Sequence, residues 1–174
     1  MKEADPRLRP QITCENGDFV LRASVHVPRP LSEVFAFFSD AHNLEHLTPP
    51  MLKFVILTSA PIEMHVGTKI DYRLKIHGVP VRWRSEITYW EPPVRFEDTQ
   101  LKGPYRKWVH EHRFASEGEG TRMEDTVRYR VFGGKLVNRL FVRRDVLRIF
   151  AYRNRMLLSH FQKFGGADAR GSLT

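Results

Sequence analysis

The sequence predicts an α+β domain: an antiparallel sheet of about six to seven strands, curved around one long C-terminal helix, with two short helices after the first strand. Three observations predict it. Apolar residues recur with period two from Phe19 to Val27, and again over most of residues 70–132. The period changes to 3.6 after Leu136 and holds to Phe164. A single helix follows the strands, so it must cover the sheet's one apolar face.

Each element has its own signal. Leu21, Ala23, Val25 and Val27 alternate with Arg22, Ser24 and His26, which reads as a half-buried strand ended by Pro28 and Pro30. Ser32 to Phe38 reads as a short helix stopping near Asp40. A second helical turn runs from Ala41 to Leu47 and ends at Thr48-Pro49-Pro50. Ile70, Tyr72, Leu74 and Ile76 form one alternating set. Val81, Trp83, Ser85, Ile87 and Tyr89 form the next, with Gly78-Val79-Pro80 as the connection. Further strands are expected at Arg95–Gln100, Lys107–Ala115 and Thr121–Phe132, in an antiparallel meander. Val142, Val146, Ile149, Phe150, Leu157, Phe161 and Phe164 make one helical stripe, stopped by Gly165-Gly166. Residues 1–17 read as a polar N-terminal arm, 18–164 as the domain, and 165–174 as a flexible tail.

At 174 residues the chain suits one domain, large enough for a core and an internal cavity. One cysteine, Cys14, excludes an internal disulfide. The N-terminus has no apolar leader segment and no run spans a bilayer, so a cytoplasmic location is the default expectation. Lys and Arg exceed Asp and Glu by 8. Arg22, Arg73, Lys75, Arg82, Arg84, Arg113, Arg128 and Arg130 fall at outward strand positions, where a solvated face explains them. Residues 135–155 hold seven basic side chains and one acid, Asp145. Such a helix suits an anionic membrane surface, but its apolar stripe is better used against the sheet. The charge is spread over several elements rather than gathered in one groove, which argues against nucleic acid.

Parity can be followed across the strands. Pairing Leu74 with Trp83 sets Tyr72 opposite Ser85. Pairing Tyr89 with Phe96 sets Ile87 opposite Asp98 and Ser85 opposite Gln100. Pairing Gln100 with Trp108 sets Asp98 opposite His110, and one more step brings His110 or His112 to Asp125. Each register keeps the apolar members on one face. That face also carries Ser85, Asp98, Gln100, His110, His112 and Asp125, which need partners if buried.

Three readings of this group stay open: a satisfied structural network, a cluster orienting a ligand in a cavity, or a metal site or acid–base pair. His110-x-His112 on a strand puts both imidazoles on one side, and Asp98 or Asp125 completes a set. Arg153 falls on or beside the helical stripe and needs an anion, from the protein or from a ligand. No nucleophile elbow, phosphate-binding loop or cysteine pair is present.

Local sequence adds a resemblance. Val27-Pro28-Arg29-Pro30-Leu31-Ser32-Glu33-Val34-Phe35-Ala36-Phe37-Phe38 is similar to the first strand and helix of the START-like (helix-grip, SRPBCC) superfamily. Asn43 to Pro50, Gly103-Pro104-Tyr105, Trp108 to Phe114 and Met123 to Tyr129 resemble a bacterial ligand-binding subfamily, related to polyketide cyclase/dehydrase and coenzyme-Q-binding proteins. The resemblance implies the helix-grip fold over residues 18–164 and ligand binding; the expected ligand is small, mostly apolar or amphipathic, and held between sheet and helix, and no cofactor and no metal are expected.

The expected apolar walls are Tyr72, Trp83, Trp108, Tyr129, Phe150 and Met156. Ser85, Asp98, Gln100, His110, His112, Asp125 and Arg153 are the expected polar contacts. Entry is expected near His46–Leu52. The alternatives are an aromatase/cyclase-like enzyme using His110, His112 and Asp98, with the imidazoles walled by Trp108 and Phe114 if that idea fails, and a membrane-surface adaptor.

Overall fold

The computed structural model describes residues 9–165, with side chains described to residue 162. The elements are β1 (Gln11–Glu15), β2 (Asp18–Val27), α1 (Leu31–Ser39), α2 (Asn43–Leu47), β3 (Val55–Ile56), β4 (Lys69–Ile76), β5 (Val79–Glu91), β6 (Arg95–Lys102), β7 (Lys107–Glu117) and β8 (Gly120–Arg130). A helical segment follows in three parts: α3 (Gly134–Val137), a π turn (Asn138–Val142) and α4 (Arg143–Gly165). All strands join one open antiparallel sheet in the order β1-β2-β8-β7-β6-β5-β4-β3. Together with α4 this is the helix-grip arrangement.

The sheet bends around the helix. α4 packs on β1 and β2 at one side and on α2. At the other side the β4–β5 tip reaches the start of α4, where His77 Nε2 lies 2.7 Å from Asp145 Oδ2. Val146, Phe150, Leu157 and Phe161 are buried, spaced at helical intervals on the face toward the sheet. Two apolar clusters result. One joins Phe35, Phe37 and Phe38 of α1 to Val25, Phe114, Met123, Leu157 and Phe161. The other joins Leu21, Val127 and Tyr129 to Val146 and Phe150. α1 supplies its four buried residues, Val34, Phe35, Phe37 and Phe38, at i, i+1, i+3 and i+4.

Several expectations are corrected. Residues 11–15 are not an arm but an edge strand, with Ile12 buried opposite Leu21. One buried residue in five gives no readable alternation. The expected tail, and residues 1–8, lie outside the described residues, Gly165 excepted as the last residue of α4. Tyr72 pairs with Trp83 and Ile70 with Ser85, two residues from the expected register. The connection is the two-residue turn His77-Gly78, with φ of +50° and +83°, and not Gly78-Val79-Pro80. Such a turn needs left-handed backbone at both positions, which glycine adopts freely. A shift of two keeps the parity, so the same side chains still face inward.

A bulge between Ile87 and Tyr89 turns Tyr89 out, where its hydroxyl donates to Glu91. Trp90 takes its place and packs against Phe35, opposite Phe96. The helix is interrupted by the π turn, which sends Asn138 inward and leaves Leu140 and Phe141 exposed.

Several of the outward arginines are charge-paired. Arg84 clasps Asp71 with two hydrogen bonds, Arg22 does the same to Glu15, and Arg113 to Glu111. Asp18, buried at the start of β2, accepts from Lys107 Nζ at 2.6 Å and from Arg130 Nε. It therefore ties β2 to the β7–β8 pair from outside the core. Asp18→Ala is expected to cost about 1–2 kcal/mol, the lower end of the range for charged hydrogen bonds because both cations stay partly solvated. Urea denaturation measures it, and an unchanged midpoint would show that the clasp is idle.

Candidate functional site

The inward positions of β5 to β8 converge on α4. Asp98 lies opposite His110, and His112 opposite Asp125, as the parity predicts. Along β8 Asp125 stands between Met123 and Val127. Along α4 Arg153 stands between Phe150 and Leu157. A polar layer therefore separates the two apolar clusters.

Asp125 is its centre. One carboxylate oxygen is 2.8 Å from His110 Nε2 and 2.9 Å from His112 Nδ1, and the other is 3.5 Å from Arg153 Nε. On the far side of the two rings, Asp98 Oδ2 lies 3.7 Å from His110 Nδ1 and 3.5 Å from His112 Nε2. Ser85 donates to Asp98 Oδ1 at 3.2 Å and receives Trp83 Nε1 at 3.1 Å. The imidazole centroids are 3.8 Å apart.

Burial sets the electrostatics. Desolvation opposes ionisation of Asp125, but Arg153 and both histidines outweigh it and hold the carboxyl well below its ordinary range. Burial likewise raises Asp98, and the His112 hydrogen bond with the neighbouring imidazoles brings it below normal. Burial and the adjacent His112 pull His110 down to about 4, against the pull of Asp125 and Asp98. His110 is thus neutral at pH 7, between two ionised carboxylates.

Access is unequal. The side chains of His110, His112 and Asp125 are 8%, 4% and 2% exposed, whereas Asp98 keeps 19%. Asp98 is an inward residue of β6, opposite Ile87 and His110, and the most accessible member of the group. The imidazoles are walled by Phe96, which stacks on His112 at 4.1 Å, and by Phe150 and Trp108 beside His110. Trp108 is an expected wall. Phe114 instead packs on Phe35, Phe38 and Phe96.

The other expected residues divide. Tyr72, buried, and Trp83, half-buried, lie side by side in a cluster with Phe54 and Ile56. Trp83 meets Trp108 edge-on at 5.4 Å. Phe150 is a buried core residue, and Met156 packs, half-buried, against the α1 cluster. Tyr129 has no accessible surface and donates its hydroxyl to Asn138, which makes it a core residue and not a lining one.

Gln100 is also corrected. Its amide donates to the Tyr105 carbonyl at 2.8 Å, closing the β6–β7 turn. A Cβ on Gly103 would overlap the Gln100 amide where it lies, so a larger residue there would have to displace that side chain. Arg153 finds its anion in Asp125, and its guanidinium sits 5.2 Å over Phe38.

Sequence reasoning misses Tyr105 and Phe38. Tyr105 packs on Trp83 and Trp108 from a turn without periodicity, and Phe38 sits in a run of five aromatic or apolar residues, Val34 to Phe38, where any could face the cluster. A groove of about 320 Å³ is lined by Arg95, Arg113, Phe114 and Glu124, and by none of Asp98, His110, His112 and Asp125. No helix among the described residues is long and apolar enough to cross a membrane.

Comparison with known proteins bears on the same region. Residues 27–149 match the model of a family described as polyketide cyclase/dehydrase and lipid transport. Solved structures share the fold. Protein Ms6760 from Mycobacterium smegmatis matches with a TM-score of 0.66 at 13% identity, over 88% of this chain and 98% of that one. TTHA0849 from Thermus thermophilus matches at 0.57 with 22% identity, over 85% and 99%. The major latex-like protein 151 of Panax ginseng matches at 0.59 with 13% identity, over 84% and 99%. Comparison with curated protein sequences gives no match.

Proposed function

This chain belongs to the polyketide cyclase/dehydrase and lipid transport family, and on that premise we propose that it binds and carries a small amphipathic molecule between the sheet and α4. The observation that carries the reading is Asp98: an inward carboxylate, deep in the fold, that retains accessible surface beside aromatic side chains. Burying an ionised group without using it is costly. A ligand whose apolar body lies against Tyr72, Trp83, Tyr105 and Trp108 would bring its hydroxyl or amine to Asp98. The mouth would lie near residues 46–52. An unsubstituted hydrocarbon is a poorer occupant, since it would cover Asp98 without a hydrogen bond.

Proton transfer on this face, as in an aromatase/cyclase, would have to pass through Asp98, because both imidazoles stand behind it. The carrier reading needs no such step.

Titration with anilinonaphthalene sulfonate, an amphiphile that brightens in apolar surroundings, tests the pocket. One equivalent should bind, and Trp83→Ala or Trp108→Ala should weaken it about tenfold, the equivalent of about 1.4 kcal/mol. Native mass spectrometry of the purified protein should recover a co-purified small molecule. Probe binding untouched by both substitutions would place the probe elsewhere and remove the reading.

A further inference from the structure

We propose that Asp98, His110 and His112 form a binding site for one divalent first-row metal ion of the zinc or ferrous-iron type. Among the described residues they are the group of three metal-ligating side chains whose donor atoms lie within 4.8 Å of one another.

The protons argue for it. The 2.8 Å contact of His110 Nε2 with an Asp125 oxygen requires a hydrogen on that nitrogen, since two lone pairs do not meet at that distance. With its one hydrogen there, a neutral ring keeps its lone pair on Nδ1. That nitrogen lies 3.7 Å from Asp98 Oδ2, and His112 Nε2 lies 3.5 Å from the same oxygen. His110 Nδ1 and Asp98 Oδ2 are two acceptors facing one another, and they repel unless something positive lies between them. The separations are long for hydrogen bonds and near the edge of a tetrahedron, about 3.3–3.4 Å, drawn by bonds of about 2.0–2.1 Å.

The surrounding shell has the form metal ligands need. Asp125 holds the outer nitrogens of both rings, the role a carboxylate plays behind metal-bound histidines. Ser85 holds the second oxygen of Asp98. Arg153 lies 3.5 Å from Asp125 and offsets that carboxylate, while Asp98 is ion-paired, among the described residues, with the two imidazoles and with no Lys or Arg. Two imidazoles and one carboxylate leave a coordination position free. Asp98 keeps the accessible surface, so that position would face the space between sheet and helix. There the metal would take an oxygen of the ligand, a step that rests on the carrier reading above; the metal site itself does not.

The test uses the full chain, stripped with chelator and titrated with Co²⁺, whose visible bands report coordination, and with Zn²⁺ by equilibrium dialysis. One equivalent should bind, with imidazole-shifted histidine resonances. Asp98→Asn should weaken binding by about 100-fold or more, and Ser85→Ala and Asp125→Asn by about 10–100-fold, the effect expected of outer-shell partners. His65→Ala and His77→Ala, both exposed and remote, should change nothing. Circular dichroism separates lost binding from lost fold, and Ser85→Ala serves if Asp125→Asn does not fold. Binding weaker than about millimolar, or untouched by Asp98→Asn, overturns the proposal. Anilinonaphthalene sulfonate binding by the stripped protein is read separately: if it persists while metal binding fails, only the metal site falls.

Discussion

Asp125→Ala is expected to destabilise the protein by about 3–5 kcal/mol, the cost of leaving one member of a buried ion pair without its partner. Arg153, with a side chain 7% exposed, would keep its charge and lose its carboxylate. His110 Nε2 and His112 Nδ1 would lose their acceptor in the same step. Against a total stability of about 5–15 kcal/mol this decides whether the chain folds at all. Urea denaturation of the metal-free protein measures it. The companion Asp125→Leu/Arg153→Leu removes both charges, fills the polar layer with apolar volume, and should recover much of the loss. A cost under about 1 kcal/mol for the single change would mean that water reaches Arg153 and the layer is not sealed.

Metal-free protein is also expected to lose roughly 3 kcal/mol of stability as the pH falls from 6.5 to about 4, from His110 alone. The sign follows from where the proton binds. Burial and His112 hold folded His110 down at about 4, while the unfolded chain protonates near 6.5. Between those values the unfolded state carries more protons, so stability rises with pH. The contribution is whole above 6.5 and is lost progressively toward 4. His160, lowered by burial, acts in the same direction, so the comparison must be with a variant. Denaturation of the parent and of His110→Gln at pH 7 and pH 4.5 isolates the term, and equal pH dependence in both would sink it. Asp98 and Asp125, held below the usual range, add their own acid loss only at lower pH.

Much of this site was legible because side-chain parity survives errors in register. The turn at His77-Gly78 moved β4 against β5 by two residues, yet Tyr72, Trp83 and Ser85 stayed on the inner face. The Asp98–His110 and His112–Asp125 oppositions needed only the tight β6–β7 and β7–β8 pairing. What stayed hidden depends on odd insertions. The bulge after Ile87 exchanged Tyr89 for Trp90, because one extra residue reverses parity beyond it. Gln100 looked like a polar ligand contact, and only the path of the Tyr105 backbone shows that its amide is already used. Burial of Tyr129 could not be told from lining a cavity, since both place an aromatic ring on the same face. Residues 11–15 pair through backbone hydrogen bonds and one buried side chain, which leaves little mark in composition.

The π turn at residues 138–142 fixes a length. A π turn carries one residue more than an α turn over the same rise, and here that residue lets Asn138 meet Tyr129 while Val146 and Phe150 still meet the sheet. Deleting one residue from this stretch would rotate everything on one side of it by about 100° relative to the other. Either Asn138 would swing away from Tyr129, or Arg153 would leave Asp125. Most connections between secondary-structure elements absorb gains and losses of residues. This one couples chain length to two distant polar contacts, so natural variation here should proceed by substitution and not by insertion or deletion.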